Sequence, residues 1–162
     1  MNRFRPACLI LLFVTLSSVA MSQTRVFRGN ANYITDQVLH VTNNRIFPGY
    51  SMNFTEVLYT VLGNEIMVGG SGSEFDLIYT FREGKLYSGN AMYSGQIAYT
   101  LSEDGKVYKG NSTFELDVLY TVRNGVIYAG SSTFPGDAIY FIDGPLSSAY
   151  LFGILLSLDL IS

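Results

Sequence analysis

The residues that could do chemistry are few. The 162-residue chain has one histidine, one cysteine and no tryptophan. Cys8 falls in an N-terminal leader, so the body of the chain keeps a single imidazole, His40, and no thiol. A disulfide framework, a Cys/His zinc site and a Cys–His nucleophile pair are thereby excluded from the body. Carboxylates recur instead. Gln37, Glu56, Asp76, Gln96, Asp117 and Asp137 form an acidic or amide column at near-constant spacing. One reading is a ladder of oxygens for a hard cation. The other is a set of turn residues whose oxygens accept from nearby backbone N–H groups. The second is preferred, because close carboxylates at alternate positions occur only in Glu74-Phe75-Asp76. Glycoside hydrolysis needs two carboxylates at a set separation in one cleft. Six equivalent positions point to structure. No catalytic residue, metal or cofactor is expected.

A second column is aromatic: Tyr59, Tyr79, Tyr99, Tyr120 and Tyr140, with His40 placed at its head and read as a structural substitution. Tyrosine is apolar with a polar tip, so an exposed stripe of it would be a platform for polysaccharide or another protein. A covered stripe would be core. These five tyrosines are the candidate ligand-binding residues.

The elements that must position these columns come from a repeat. Gly29, Gly49, Gly69, Gly89, Gly110 and Gly130 fall 20, 20, 20, 21 and 20 residues apart. Two residues before each stands Phe27, Phe47, Met67, Tyr87, Tyr108 or Tyr128. Six copies cover Arg25 to Gly144, and each reads as two short β-branched and aromatic strands. Asn124-Gly125 and its equivalents supply the positive φ of tight hairpin turns, so the second strand of one copy pairs with the first of the next. That turn predicts Val122 opposite Ile127 and Thr121 opposite Tyr128. Side chains alternate between faces. The face carrying Leu119, Thr121, Tyr128 and Gly130 is expected to be the buried one. The other includes the mixed column Arg28, Pro48, Val68, Ser88, Lys109 and Ala129. One copy alone buries too little apolar surface to fold; neighbours must share it.

The ends differ from the body. Arg3 and Arg5 precede an apolar run from Ala7 to Val14, closed by Ser17, Ser18, Ala20 and Ser22. This is the pattern of a secretory signal peptide over residues 1–22, cut after Ser22 or, alternatively, after Ala20. Loss of Arg3 and Arg5 leaves eight basic residues against thirteen acidic ones. That balance argues against nucleic acid as a partner. Residues 145–162 break the repeat; Leu146–Tyr150 reads as a faded first strand and the whole segment as a terminal cap. The run is short and contains Asp159, so no membrane span is expected in the mature chain.

The openings Tyr87-Ser88-Gly89, Tyr108-Lys109-Gly110 and Tyr128-Ala129-Gly130 resemble those of MORN repeats, although the Gly-x-Gly of that family is missing from these three copies. The resemblance implies hairpins stacked into an elongated single sheet, and binding or scaffolding in place of catalysis. The expected fold is all-β: six tandem hairpins over residues 23–144 in an elongated antiparallel sheet or solenoid, or, as the alternative, a closed up-and-down barrel. The expected function is a secreted or cell-envelope module that binds protein or polysaccharide, with self-association open to it. A matrix or fibre-type β-assembly is second and a secreted hydrolase last. A bilayer-crossing barrel fails on strand length, since roughly 9–11 residues per strand are required.

Overall fold

A computed structural model describes residues 23–162; the expected signal peptide lies outside the described residues. Each copy folds as expected from its β-branched and aromatic runs. The strands are β1 (Thr24–Arg28), β2 (Gln37–Thr42), β3 (Arg45–Pro48), β4 (Tyr59–Leu62), β5 (Glu65–Val68) and β6 (Leu77–Arg82). They continue as β7 (Lys85–Ser88), β8 (Ile97–Leu101), β9 (Lys106–Lys109), β10 (Val118–Arg123), β11 (Val126–Ala129) and β12 (Ala138–Asp143). One helix follows, α1 (Ser148–Ser157).

The strands do not stay in an open, elongated sheet. β1 pairs antiparallel with β12, from Arg25 opposite Asp143 to Arg28 opposite Tyr140. Every strand therefore has two neighbours, and the twelve form the closed barrel that stood as the alternative. Closure removes the sheet edges, which in an open ribbon would be templates for aggregation. Strands of four to six residues are shorter than the roughly 9–11 that cross a bilayer.

Hairpin register follows the turns. Tyr120 pairs with Ala129, Thr121 with Tyr128 and Val122 with Ile127. Both tip residues of that hairpin have positive φ, Asn124 at 51° and Gly125 at 77°. Gly125 is also tightly approached: a Cβ there would lie 2.6 Å from the Ile142 carbonyl oxygen. All tight turns lie at one end of the barrel. The six longer links within copies lie at the other, each ending in a single 3-10 turn such as Glu74–Asp76 or Glu115–Asp117.

The face assignment is reversed. Val26, Ile46, Ile66, Leu86, Val107 and Ile127, three residues before each repeat glycine, are fully buried in the central core. Tyr120 and Val122 share that inward face. Thr121, Tyr128 and their equivalents point outward and are covered by the long links, which fold back along the wall. A hydrogen bond from Thr60 Oγ1 to the Gly69 carbonyl oxygen at 2.6 Å marks this cover. The mixed Ala129 column does have inward parity, but it sits at the rim beside the long links. There Arg28, Val68, Ser88, Lys109 and Ala129 are exposed.

The C-terminal segment is not a faded strand. It enters from the turn end, where Tyr150 donates its hydroxyl to Asn44 Oδ1 at 2.8 Å. It then runs through the barrel as α1, capped by Ser147, whose Oγ accepts from the Tyr150 amide at 3.3 Å. Ala149 and Leu151–Leu156 are all buried. A helix apolar on every side is what an enclosed position requires. Gly153 allows its close fit, since a Cβ would sit 2.7 Å from Ile46 Cδ1. Phe152 packs at 5.6 Å from the Phe81 ring and 6.4 Å from the Tyr99 ring. The segment expected to cap a stack is the core about which the sheet closes.

Candidate functional site

The five candidate tyrosines converge, but on the inside. Tyr59, Tyr79, Tyr120 and Tyr140 are half-buried and Tyr99 is buried, all on the inward face near the end that carries the long links. They surround the residues that follow α1. Tyr99 Oη donates to the Ser162 carbonyl oxygen at 2.7 Å and accepts from the Ser162 amide at 3.0 Å. Tyr120 donates its hydroxyl to the Leu160 carbonyl oxygen at 3.0 Å. Burial raises the pKa of Tyr59, Tyr79 and Tyr120 above the ordinary phenol value; Asp159 adds to this at Tyr59, and neighbouring tyrosines add at Tyr79 and Tyr120. The column therefore grips the chain's own C-terminal segment and offers no outer platform.

His40 belongs to a different column. Leu39 pairs with Pro48 as Tyr59 pairs with Val68, so Leu39 heads the tyrosine column. His40 pairs with Phe47 as Thr60 pairs with Met67. The threonine position has one repeated duty. Thr60, Thr80, Thr100 and Thr121 each donate Oγ1 to the carbonyl of a repeat glycine, Gly69, Gly89, Gly110 or Gly130, at 2.6–2.8 Å. His40 meets the Gly49 carbonyl through Nδ1 at 2.9 Å and stacks on Phe47 with ring centroids 5.1 Å apart. The bond fixes Nδ1 as the protonated nitrogen. The imidazole performs a threonine's task.

The acidic column shifts by one in the first copy, where Asp36 and not Gln37 ends the 3-10 turn. Its chemistry is local. Asp76, Asp117 and Asp137 accept hydrogen bonds from Ser71, Ser112 and Ser132, five residues earlier in their own links. Among the described residues, no three His, Cys, Asp or Glu side chains gather as metal ligands would.

The surface that stands out is one the repeat columns did not single out. The six long links project around the barrel, and eleven of the thirteen large apolar side chains exposed among the described residues lie on them. Phe75 is 100% exposed, Leu116 98% and Phe134 76%. The signal was present in the sequence. Tyr33, Tyr93, Phe114 and Phe134 stand four residues after the repeat glycine, immediately before the 3-10 turn. In the other two copies this place is held by Asn53 and Ser73, whose side chains accept from Thr55 N and Phe75 N at 3.1 and 3.3 Å. The aromatic residue then moves along to Phe54 or Phe75. The repeated strand pattern explains none of these rings, since they lie on the links between strands.

A family model described as a 6-fold beta flower protein matches residues 26–155. The chain belongs to the 6-fold beta flower family. In this beta flower the hairpins are the six-fold unit, and the long links are its petals. Asn53 and Ser73 tie down two petals, while Arg45 lies over the Phe54 ring of the second at 4.9 Å. A solved structure of a protein from Arabidopsis thaliana is similar at 17% identity and a TM-score of 0.41, over 86% of this chain and 88% of that one. No curated protein matches the chain.

Proposed function

We propose that this beta flower is a non-catalytic binding or scaffolding module, working outside the cell or at its envelope, with the petals as its contact surface. The observation that carries the proposal is the apolar ring: each of the six loops exposes at least one large apolar side chain, and together they encircle the barrel. Isolated exposed apolar residues are ordinary on protein surfaces, but a repeated, clustered set marks a place of contact. Export is supported by the basic, apolar and small-residue order of Met1–Ser22. The likeness to MORN repeats contributes the expectation of binding or scaffolding.

The test compares the protein with a triple variant, Phe75→Ser, Leu116→Ser, Phe134→Ser, on one glycan array and one peptide array. All three side chains are outside the core, so the fold should survive. Ligands retained in full by the triple variant would place the contact surface elsewhere. The second reading, a fibre-type assembly, loses its simplest route because the pairing of β1 with β12 leaves no open edge for strand addition. Light scattering over a range of concentrations separates the two; growth into polymers would restore the assembly reading.

A further inference from the structure

We infer that the occupant of the petal ring is a cationic protein segment that also carries apolar side chains. The inference rests on the petal reading above and adds the partner's chemistry. The six petals, residues 29–36, 49–58, 69–76, 89–96, 110–117 and 130–137, hold seven carboxylates and no lysine, arginine or histidine. All eight Lys and Arg of the described residues lie on strands. The acids flank the apolar tips directly: Glu74 and Asp76 bracket Phe75, and Glu115 and Asp117 bracket Leu116.

The barrel's own cations show how such a petal receives a positive charge. The Arg45 guanidinium lies 4.9 Å from the Phe54 ring centroid and donates to the Gly70 carbonyl oxygen at 3.2 Å. The Lys106 ammonium bridges to Glu115 at 2.7 Å. Ring face, loop carbonyl and carboxylate together form a receptor for ammonium or guanidinium groups. Phe75, Phe114 and Phe134 are exposed on petals that also carry carboxylates, and among the described residues no lysine or arginine lies over their rings. An anionic partner, such as an acidic lipid surface, would meet like charge on five of the six petals.

The experiment uses two synthetic amphipathic peptides of equal apolar content, one bearing lysines and the other glutamates. Binding is read by fluorescence anisotropy at several salt concentrations. Three variants are compared with the natural chain: the Phe75, Leu116, Phe134 serine triple; a petal-charge triple, Asp36→Asn, Glu56→Gln, Glu74→Gln; and a matched control off the petals, Glu65→Gln, Glu83→Gln, Glu103→Gln. Urea midpoints verify that each is folded. The lysine peptide should bind and the glutamate peptide should not. The petal-charge triple should weaken binding about tenfold and flatten its salt dependence, while the control triple changes it by less than about twofold. Equal binding of both peptides, no binding of the lysine peptide, or equal losses in the two charge triples would overturn the inference. If the serine triple alone abolishes binding, the petals remain the contact surface and only the charge argument fails. If the serine triple binds as well as the natural chain, the petal reading fails with it.

Discussion

At the scale of single residues, the threonine column is the repeat's most economical device. In the second to fifth copies one hydroxyl ties the outer wall to the first carbonyl of the petal above it. Thr121 is 3% exposed, and its hydroxyl donates to the Gly130 carbonyl oxygen at 2.8 Å. Thr121→Val should therefore lower stability by about 0.5–1.5 kcal/mol, the net worth of the lost bond. A urea midpoint equal to that of the natural chain would refute the assignment. The inner tyrosines give a pH signature. Tyr59, Tyr79, Tyr120 and Tyr150 hold their protons more tightly than free phenols, burial being the leading cause at each. A proton held more tightly in the folded state stabilises that state fully below the unfolded pKa, near 10, and the gain is lost as pH rises through the folded values. The urea midpoint should stay level in this respect up to about pH 9 and fall above about pH 10, with a late tyrosinate phase in ultraviolet absorbance. Tyr79→Phe should shrink that late phase; its persistence unchanged would assign the phase to other tyrosines. The residues also show how a one-place miscount propagates. Counting from Gly29, seven residues lead to Asp36 and ten to Leu39. Gln37 and His40 sit one place later, and an imidazole looked enough like a ring to be put among rings.

At the scale of elements, strands and tips were legible because their signals are local. Alternation, β-branching and Asn-Gly turns act within a few residues, and the Asn124-Gly125 register came out as the turn chemistry dictates. Which side of a strand becomes the interior is not local. The Arg28-to-Ala129 column looked too mixed for a core, and it is exposed because the barrel ends there. The helix was hidden for the opposite reason. Ser148–Ser157 has no polar face, so it lacks the periodicity by which surface helices are recognised, and Gly153 interrupts its propensity. Enclosure supplies what propensity lacks. Phe152 is fully buried between the walls, so Phe152→Ala should cost about 3–5 kcal/mol. Chemical denaturation would show it, and a loss under about 1 kcal/mol would mean that the helix can leave without consequence to the wall.

At the scale of the whole molecule, closure changes what a repeat protein does under stress. In a solenoid each copy touches only its neighbours, and unfolding can spread from one end. Here β1 lies against β12, and α1 touches strands from several copies. The Arg25–Asp143 ion pair across the seam, at 2.9 Å, is exposed and contributes little; the backbone ladder and the buried Val26 secure the closure. Unfolding should be a single transition, with far-ultraviolet dichroism and near-ultraviolet tyrosine signals superimposing. Deleting one copy, residues 89–109, should abolish the fold, because ten strands cannot enclose the same helix at the same tilt. A stable, partly shortened product of that deletion would indicate a modular array. The six-fold repetition was visible in the glycines, but the pairing that joins the first strand to the last spans more than a hundred residues, and no window along the chain contains it.

The position of α1 also bears on what this protein can transport. A hollow sleeve of strands could carry a small apolar guest in its bore and release it elsewhere. This sleeve is threaded by its own polypeptide, with Phe152, Ile154 and Leu155 wholly sealed from solvent. Selectivity by bore width is therefore not available to it.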